Sequence, residues 1–90
     1  MSEDPTAEDV PSSSSLGILI VDDEPMACEF LETFLGKQGY EVSKATTGNQ
    51  ALELIQAERP HLVLLDIRMP DAGYVFHGLQ LAEAKWQTWS

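Results

Sequence analysis

Three aspartates in this sequence stand where carboxylates can do chemistry. Asp22 and Asp23 follow the apolar run "LGILIV" (residues 16–21), and Asp66 follows the run "LVLL" (residues 62–65). Three carboxylates held within a few ångströms repel one another, so some take up protons unless a cation intervenes. Mg²⁺ relieves this repulsion, and a carboxylate held beside it can attack phosphorus and form an aspartyl phosphate. Helix capping would explain one such aspartate, but it does not explain why two separate apolar runs are both followed by aspartate.

The strands that must position these aspartates are indicated by apolar patterns. Residues 16–21 and 62–65 are continuous apolar runs, which is typical of strands covered on both faces in a parallel sheet. Residues 40–46 are short and partly polar, which favours an edge strand. The sequence therefore predicts three strands, two of them buried.

Two helices are predicted between these strands. Pro25 suits the first turn of one helix, and Gly36 is a stop signal for it. The second helix opens at Gly48 and closes at "RP" (residues 59–60), because the residue before proline disfavours helical backbone. The predicted buried faces are Ala27, Leu31, Phe34 and Leu35 in the first helix, and Ala51, Leu52 and Ile55 in the second.

The order β-α-β-α-β fits a parallel sheet, whose crossovers are right-handed in nearly all cases. If the first strand lies between the other two, the crossovers run in opposite directions and the two helices cover opposite faces. The reversal leaves a crevice at the carboxyl ends of the strands, where ligands bind in such folds. Asp22, Asp23 and Asp66 are all expected to meet at this crevice.

The same region resembles a known family. Residues 18–71 are similar to the receiver domain of two-component response regulators in the pieces "ILIVDDEP", "GYEVSKATTGNQALELI" and "RPHLVLLDIRMPD". The resemblance implies an α/β, flavodoxin-like fold and makes Asp66 the phosphoacceptor. It also implies an Mg²⁺ site formed by Asp23 directly, by Asp22 through water, by Asp66, and by the backbone carbonyl of Arg68.

The resemblance stops after Asp71. It therefore predicts an incomplete receiver fold, truncated or frameshifted after residue 71. We expect a disordered acidic, serine-rich tail (1–15), a partial receiver domain (16–71) and a divergent tail (72–90). In the divergent tail we expect neither a fourth strand ending in Ser or Thr nor a fifth ending in Lys-Pro. An apolar stripe suggests a helix there instead, and accidental read-through is the alternative. The residues of that stripe are Leu79, Ala82, Trp86 and Trp89.

The composition of the chain indicates which kinds of molecule it can bind and in which compartment it lies. Fifteen acidic against five basic residues give a net charge of −10, which argues against nucleic acid and against an anionic membrane. The single cysteine, Cys28, allows no internal disulfide and fits a reducing compartment. The N-terminus lacks the pattern of a signal peptide, and no apolar run approaches the roughly 20 residues that span a bilayer. A cytoplasmic location is expected.

The leading hypothesis is a receiver module that accepts a phosphoryl group from a sensor histidine kinase onto Asp66, with impaired switching. It is expected not to be an enzyme, beyond Mg²⁺-dependent self-phosphorylation from a small donor. The alternatives are an interaction module without phosphotransfer and a non-functional gene fragment. A haloacid-dehalogenase-type phosphatase is disfavoured, because that family requires Asp-x-Asp where this chain has "DDEP". Self-association is expected along an exposed strand edge at Leu62–Leu65.

Overall fold

The computed structural model describes residues 16–82 and 85–89, and these residues form a four-stranded sheet with three helices. The predicted acidic tail, residues 1–15, lies outside the described residues. In chain order the elements are β1 (Gly17–Val21), α1 (Pro25–Lys37), β2 (Glu41–Ala45), α2 (Gly48–Glu58), β3 (Leu62–Asp66), α3 (Ala72–Ala82) and β4 (Trp86–Trp89).

The sheet is parallel, with the strand order β2-β1-β3-β4. Strand β1 is central, as the resemblance to receiver domains implies, and the predicted edge position of β2 is confirmed. Val21, the last residue of β1, pairs with Ala45 on one side and with Leu65 on the other. Because the strands end level with one another, Asp22 and Asp66 leave the sheet side by side.

The helices cover the two faces unequally. On one face, α2 and α3 pack over the sheet and against each other, whereas α1 packs on the other face against β2 and β1. This division follows from the reversal of strand order, as the sequence predicted. The main core lies under α2 and α3 and consists of Leu19, Val21, Ala45, Ala51, Ile55, Val63, Leu65, Met69, Ala72, Val75 and Leu79.

The predicted buried face of α1 is partly wrong. Phe34 is 54% exposed, whereas Cys28, which the helical pattern did not include, is buried. The other three predicted residues, Ala27, Leu31 and Leu35, are only partly buried. Position on the helix is therefore a weaker guide to burial in α1 than in α2, where the predicted Ala51 and Ile55 are buried.

The second helix has defined ends. Thr47 caps α2 with its side chain, which accepts a hydrogen bond from the N–H of Gln50 at 3.1 Å, and the Gln50 side chain accepts from the N–H of Thr46 at 2.9 Å. This Thr-x-x-Gln pair resembles a capping box. Arg59 ends the helix in the left-handed region with a φ of 50°, just before Pro60.

The chain after Asp71 continues the sheet, which corrects the expectation of a three-stranded half. Helix α3 buries Ala72, Val75 and Leu79, spaced at i, i+3 and i+7. Gly78 allows α3 to lie close to α2, since a Cβ there would clash with Leu52 Cδ2. The expected helical order therefore exists, but it starts earlier than the predicted stripe and ends at Ala82.

The expectation that Trp86 and Trp89 extend a helical stripe is wrong, because both lie in strand β4. Trp86 pairs with Val63 of β3, and its ring meets that of Phe76 edge to face, with centroids 4.7 Å apart. Tryptophan and threonine favour strands, and parallel pairing with β3 satisfies their backbone. Strand β4 carries Thr88 and covers β3, so the predictions of a missing fourth strand and of an exposed Leu62–Leu65 edge are also wrong.

Candidate functional site

The three aspartates converge at the carboxyl edge of the sheet. Asp22 follows the central strand β1, Asp23 follows it by one more residue, and Asp66 is the last residue of β3. One carboxylate oxygen from each lies within 4.8 Å of the others. Asp22 and Asp66 are buried and Asp23 is exposed, so the cluster is shielded from water on one side and open to solvent on the other.

The donor set fits a hard divalent cation. Mg²⁺ binds oxygen at about 2.1 Å, so ligands on opposite sides of one ion stand about 4.2 Å apart. The three oxygens lie within 4.8 Å of one another, which is close enough for them to share one hard cation. When bound, such an ion would offset the negative charge of the cluster and of a phosphoryl group.

The surroundings of Asp22 are a second observation that fits a cation at this cluster. Its Oδ1 accepts a hydrogen bond from the N–H of Glu24 at 3.0 Å. Its Oδ2 is buried and has no hydrogen-bond partner among the described residues. Burial raises the pKa of the Asp22 carboxyl, the hydrogen bond from Glu24 opposes the rise, and the charge of Asp66 adds to it. A cation at this position would satisfy Oδ2 and favour the ionised form.

Asp66 is held differently. Its Oδ1 accepts hydrogen bonds from the backbone N–H of Arg68 at 3.0 Å and from the Arg68 Nε at 3.2 Å. Burial acts to raise the pKa of Asp66, but these hydrogen bonds and the guanidinium charge outweigh it, so this pKa lies below its ordinary value. Asp66 is therefore ionised at neutral pH, which is the form a carboxylate nucleophile requires.

Two contacts of the site were missed by sequence reasoning. The Arg68 side chain pairs with Asp66, whereas the sequence pointed to the Arg68 carbonyl alone. Asp71, just beyond the site loop, accepts a hydrogen bond from the N–H of Gly48 at 2.8 Å. The two residues of this second pair are 23 positions apart, and only the tertiary structure brings them together.

The two histidines lie away from the aspartates. His61 precedes β3 at the amino edge of the sheet, where its Nδ1 accepts a hydrogen bond from the N–H of Gly17 at 2.9 Å. His77 is exposed on α3 and lines a cavity of about 360 Å³ between α2 and α3. Neither joins the metal-ligand cluster of the described residues. No helix within residues 16–82 is long and apolar enough to cross a membrane.

A parallel α/β sheet with acidic residues at its strand-order reversal defines a protein of the flavodoxin-like class with a candidate cation site. The model of the response regulator receiver domain family matches residues 18–84, which is most of the chain. The chain belongs to that family. The match extends past Asp71 through α3 and ends before β4 begins.

Curated relatives are longer proteins. The chain is 47% identical over 70 residues to the positive alginate biosynthesis regulatory protein of Pseudomonas aeruginosa, a match that covers 74% of this chain and 27% of that protein. It is 51% identical over 53 residues to the probable transcriptional regulator ycf27 of Cyanophora paradoxa, covering 59% and 22% respectively. The chain thus spans about a quarter of the length of these relatives.

Solved structures share the fold. The response regulator TrrA of Thermotoga maritima, in complex with Mg²⁺ and BeF, is 33% identical with a TM-score of 0.71, and the match covers 81% of this chain and 65% of that one. The N-terminal domain of a response regulator receiver protein from Methanoculleus marisnigri is 40% identical with a TM-score of 0.65, covering 74% and 54%.

Proposed function

We propose that this receiver domain accepts a phosphoryl group onto Asp66 from a phosphohistidine of a sensor histidine kinase. The observation that carries the proposal is the convergence of an ionised Asp66 with Asp22 and Asp23 around space suited to a divalent cation. The likeness to TrrA, a regulator solved in complex with Mg²⁺ and BeF, supports it. A cytoplasmic location remains a prediction from the sequence.

The proposed step is an in-line displacement at phosphorus. A carboxylate oxygen of Asp66 forms the new P–O bond, the P–N bond to the donor imidazole breaks, and the imidazole leaves with the electron pair and takes up a proton. Mg²⁺, held by Asp23, Asp22, Asp66 and the carbonyl of Arg68, would offset charge on the transferring group. Asp66 needs no separate base, because it is already ionised at neutral pH.

The Arg68 side chain has a defined part in this proposal. It donates to Asp66 Oδ1 and is 64% exposed, so it can leave Asp66 without unfolding the loop. We expect the guanidinium to keep Asp66 ionised before transfer and to move aside when a phosphoryl group arrives. The backbone N–H of Arg68 continues to orient the carboxylate.

The test is phosphorylation by acetyl phosphate with Mg²⁺, read by intact mass and peptide mapping. We expect one phosphoryl group on Asp66, and loss of incorporation to background in Asp66→Asn. Glu53→Gln, at an exposed position of α2, is the matched control and should react like the parent. Phosphate on His61 or His77 would overturn the assignment.

The same assay separates the alternatives. A folded chain that binds Mg²⁺ but takes no phosphate from any donor would be an interaction module. Impaired switching remains a prediction from the sequence. Hydrogen exchange with and without beryllofluoride measures it, and protection changes that spread from the site into α3 and β4 would contradict it.

A further inference from the structure

The side chain of Asp71 joins two elements that the proposed chemistry does not use directly. Its Oδ2 accepts a hydrogen bond from the N–H of Gly48, the first residue of α2. Its backbone carbonyl accepts from the N–H groups of Tyr74 and Val75 at 3.1 and 3.2 Å, which starts α3. Asp71 therefore stands at the N-termini of two helices at once.

This use of an aspartate is unusual in one respect. An aspartate before a helix commonly turns its carboxylate onto the second or third N–H of that same helix. Asp71 instead directs Oδ2 to α2, whose first turn already has Thr47 as its cap. The contact satisfies the Gly48 N–H, which the helix cannot pair internally. The hydrogen bond between Asp71 and Gly48 therefore caps α2 and also connects the N-termini of α2 and α3.

The space around this contact leaves no room for a side chain at position 48. A Cβ on Gly48 would lie 2.5 Å from Asp71 Oδ2 and 3.2 Å from Val75 Cγ2. Gly48 is buried and Asp71 half-buried, so the contact is partly shielded from water. The close approach of the carboxylate to the start of α2 therefore depends on glycine.

The contact lies at the far end of the loop that follows Asp66. At its near end, the loop is fixed by the hydrogen bond from Arg68 N–H to Asp66 Oδ1 and by that from Met69 N–H to the Asp66 carbonyl. Met69 is buried in the core, which anchors the middle. The Asp71–Gly48 link anchors the end, so the backbone at Arg68 is fixed on both sides.

We propose that Asp71 is a positioning residue, which holds the loop between Asp66 and α3 in the shape that binds Mg²⁺ by tying it to the N-terminus of α2. The inference rests on the proposed function of the aspartate cluster. Asp71 is not one of the three clustered aspartates; it acts through the loop that carries Asp66 and the Arg68 carbonyl.

The test compares Asp71→Ser with Asp71→Asn in the full 90-residue chain. Serine keeps the backbone carbonyl that starts α3 but is too short to reach Gly48, whereas asparagine keeps an oxygen acceptor of the right length. We expect Asp71→Ser to weaken Mg²⁺ binding by about tenfold, at the lower end of the effect of supporting partners on metal affinity. Asp71→Asn should stay within about twofold. Isothermal titration with MgCl₂ measures both.

A second readout is independent of the metal. In Mg²⁺-free protein, amide exchange of Gly48 followed by NMR should be faster in Asp71→Ser and close to that of the parent in Asp71→Asn. Gly48→Ala should displace the carboxylate from the other side and weaken Mg²⁺ binding to a similar extent, even though alanine favours helix. Circular dichroism checks that each variant is folded, and Asp71→Asn keeps the test interpretable if Gly48→Ala is not.

Asp23→Asn separates this inference from the proposed function. If Asp23→Asn binds Mg²⁺ like the parent, the metal site itself is wrong. If Asp23→Asn loses binding while a folded Asp71→Ser retains parental affinity, only the positioning role of Asp71 is overturned. Equal losses in Asp71→Ser and Asp71→Asn would also overturn it, since the hydrogen bond would then not be the cause.

Discussion

The two faces of the sheet are built to different degrees. On the α2–α3 face, side chains from three strands and two helices form one continuous buried cluster. On the α1 face, Ile18 and Ile20 alternate with the core residues Leu19 and Val21 and are covered mainly by one helix. That helix leaves its largest apolar side chains outside, with Met26 81%, Phe30 71% and Phe34 54% exposed.

The α2–α3 face therefore supplies most of the stability of the fold, whereas the α1 face leaves an apolar surface exposed to solvent. Burying a large apolar side chain stabilises a fold by about 1.5–3 kcal/mol, and most such burial here is under α2 and α3. The α1 face instead presents an apolar surface of Met26, Phe30 and Phe34, spaced at i, i+4 and i+8 along one side of the helix. The aspartate cluster lies between the two faces, at the edge they share.

The largest expected effect is on the α2–α3 face. Leu79 is fully buried in α3, and Leu79→Ala should lower the free energy of unfolding by about 3 kcal/mol, because it removes apolar contacts and leaves a cavity. Phe30→Ala on α1 should change it by less than about 0.5 kcal/mol. Urea unfolding followed by circular dichroism measures both. Equal losses in the two variants would show that the faces contribute alike.

A smaller effect, of opposite sign, is expected at the shared edge. Asp22→Asn should raise the free energy of unfolding by about 1 kcal/mol at pH 7 without Mg²⁺, because it removes a buried carboxylate whose Oδ2 has no hydrogen-bond partner among residues 16–82 and 85–89. The same substitution should weaken Mg²⁺ binding. Thermal unfolding in EDTA and titration with MgCl₂ measure the two effects.

The increase in the free energy of unfolding that we expect for Asp22→Asn should depend on pH in a definite direction. The pKa of Asp22 is raised in the folded state, mainly by burial, so its ionised form costs stability. The cost is absent below the ordinary pKa of 3.8 and complete above the raised folded-state value. The advantage of Asp22→Asn should therefore vanish in acid and reach a plateau towards neutral pH. An Asn variant no more stable than the parent at pH 7 would contradict this assignment.

The smallest effect on stability is expected for the exposed α1 surface. The double variant Met26→Gln and Phe30→Gln should change the free energy of unfolding by less than about 0.5 kcal/mol, since neither side chain is buried. It should reduce self-association at high protein concentration, because exposed apolar patches promote contact between chains. Light scattering measures the association. If light scattering is unchanged in the double variant, the exposed α1 surface is not the cause of self-association.

Much of the fold could be read from the sequence, and the reasons are local. Continuous apolar runs identified β1 and β3, and Pro25 and Gly48 marked helix starts. The strand order, whose reversal brings Asp22 and Asp66 together, came from the resemblance to receiver domains. These inferences succeeded because a buried parallel strand requires apolar residues throughout, whatever covers it. The Thr47–Gln50 cap was equally visible in the sequence and was overlooked.

The sequence by itself determined the element order as far as β3 and the edge at which the three aspartates meet. Only the tertiary structure decided that Trp86–Trp89 forms a strand, because four residues with two tryptophans fit either a helical stripe or a strand until β3 offers hydrogen bonds. It also decided that Phe34 is exposed, since burial depends on what lies opposite a side chain. The Asp71–Gly48 link is set by folding as well, because its partners are distant in sequence and neither position alone carries a signal.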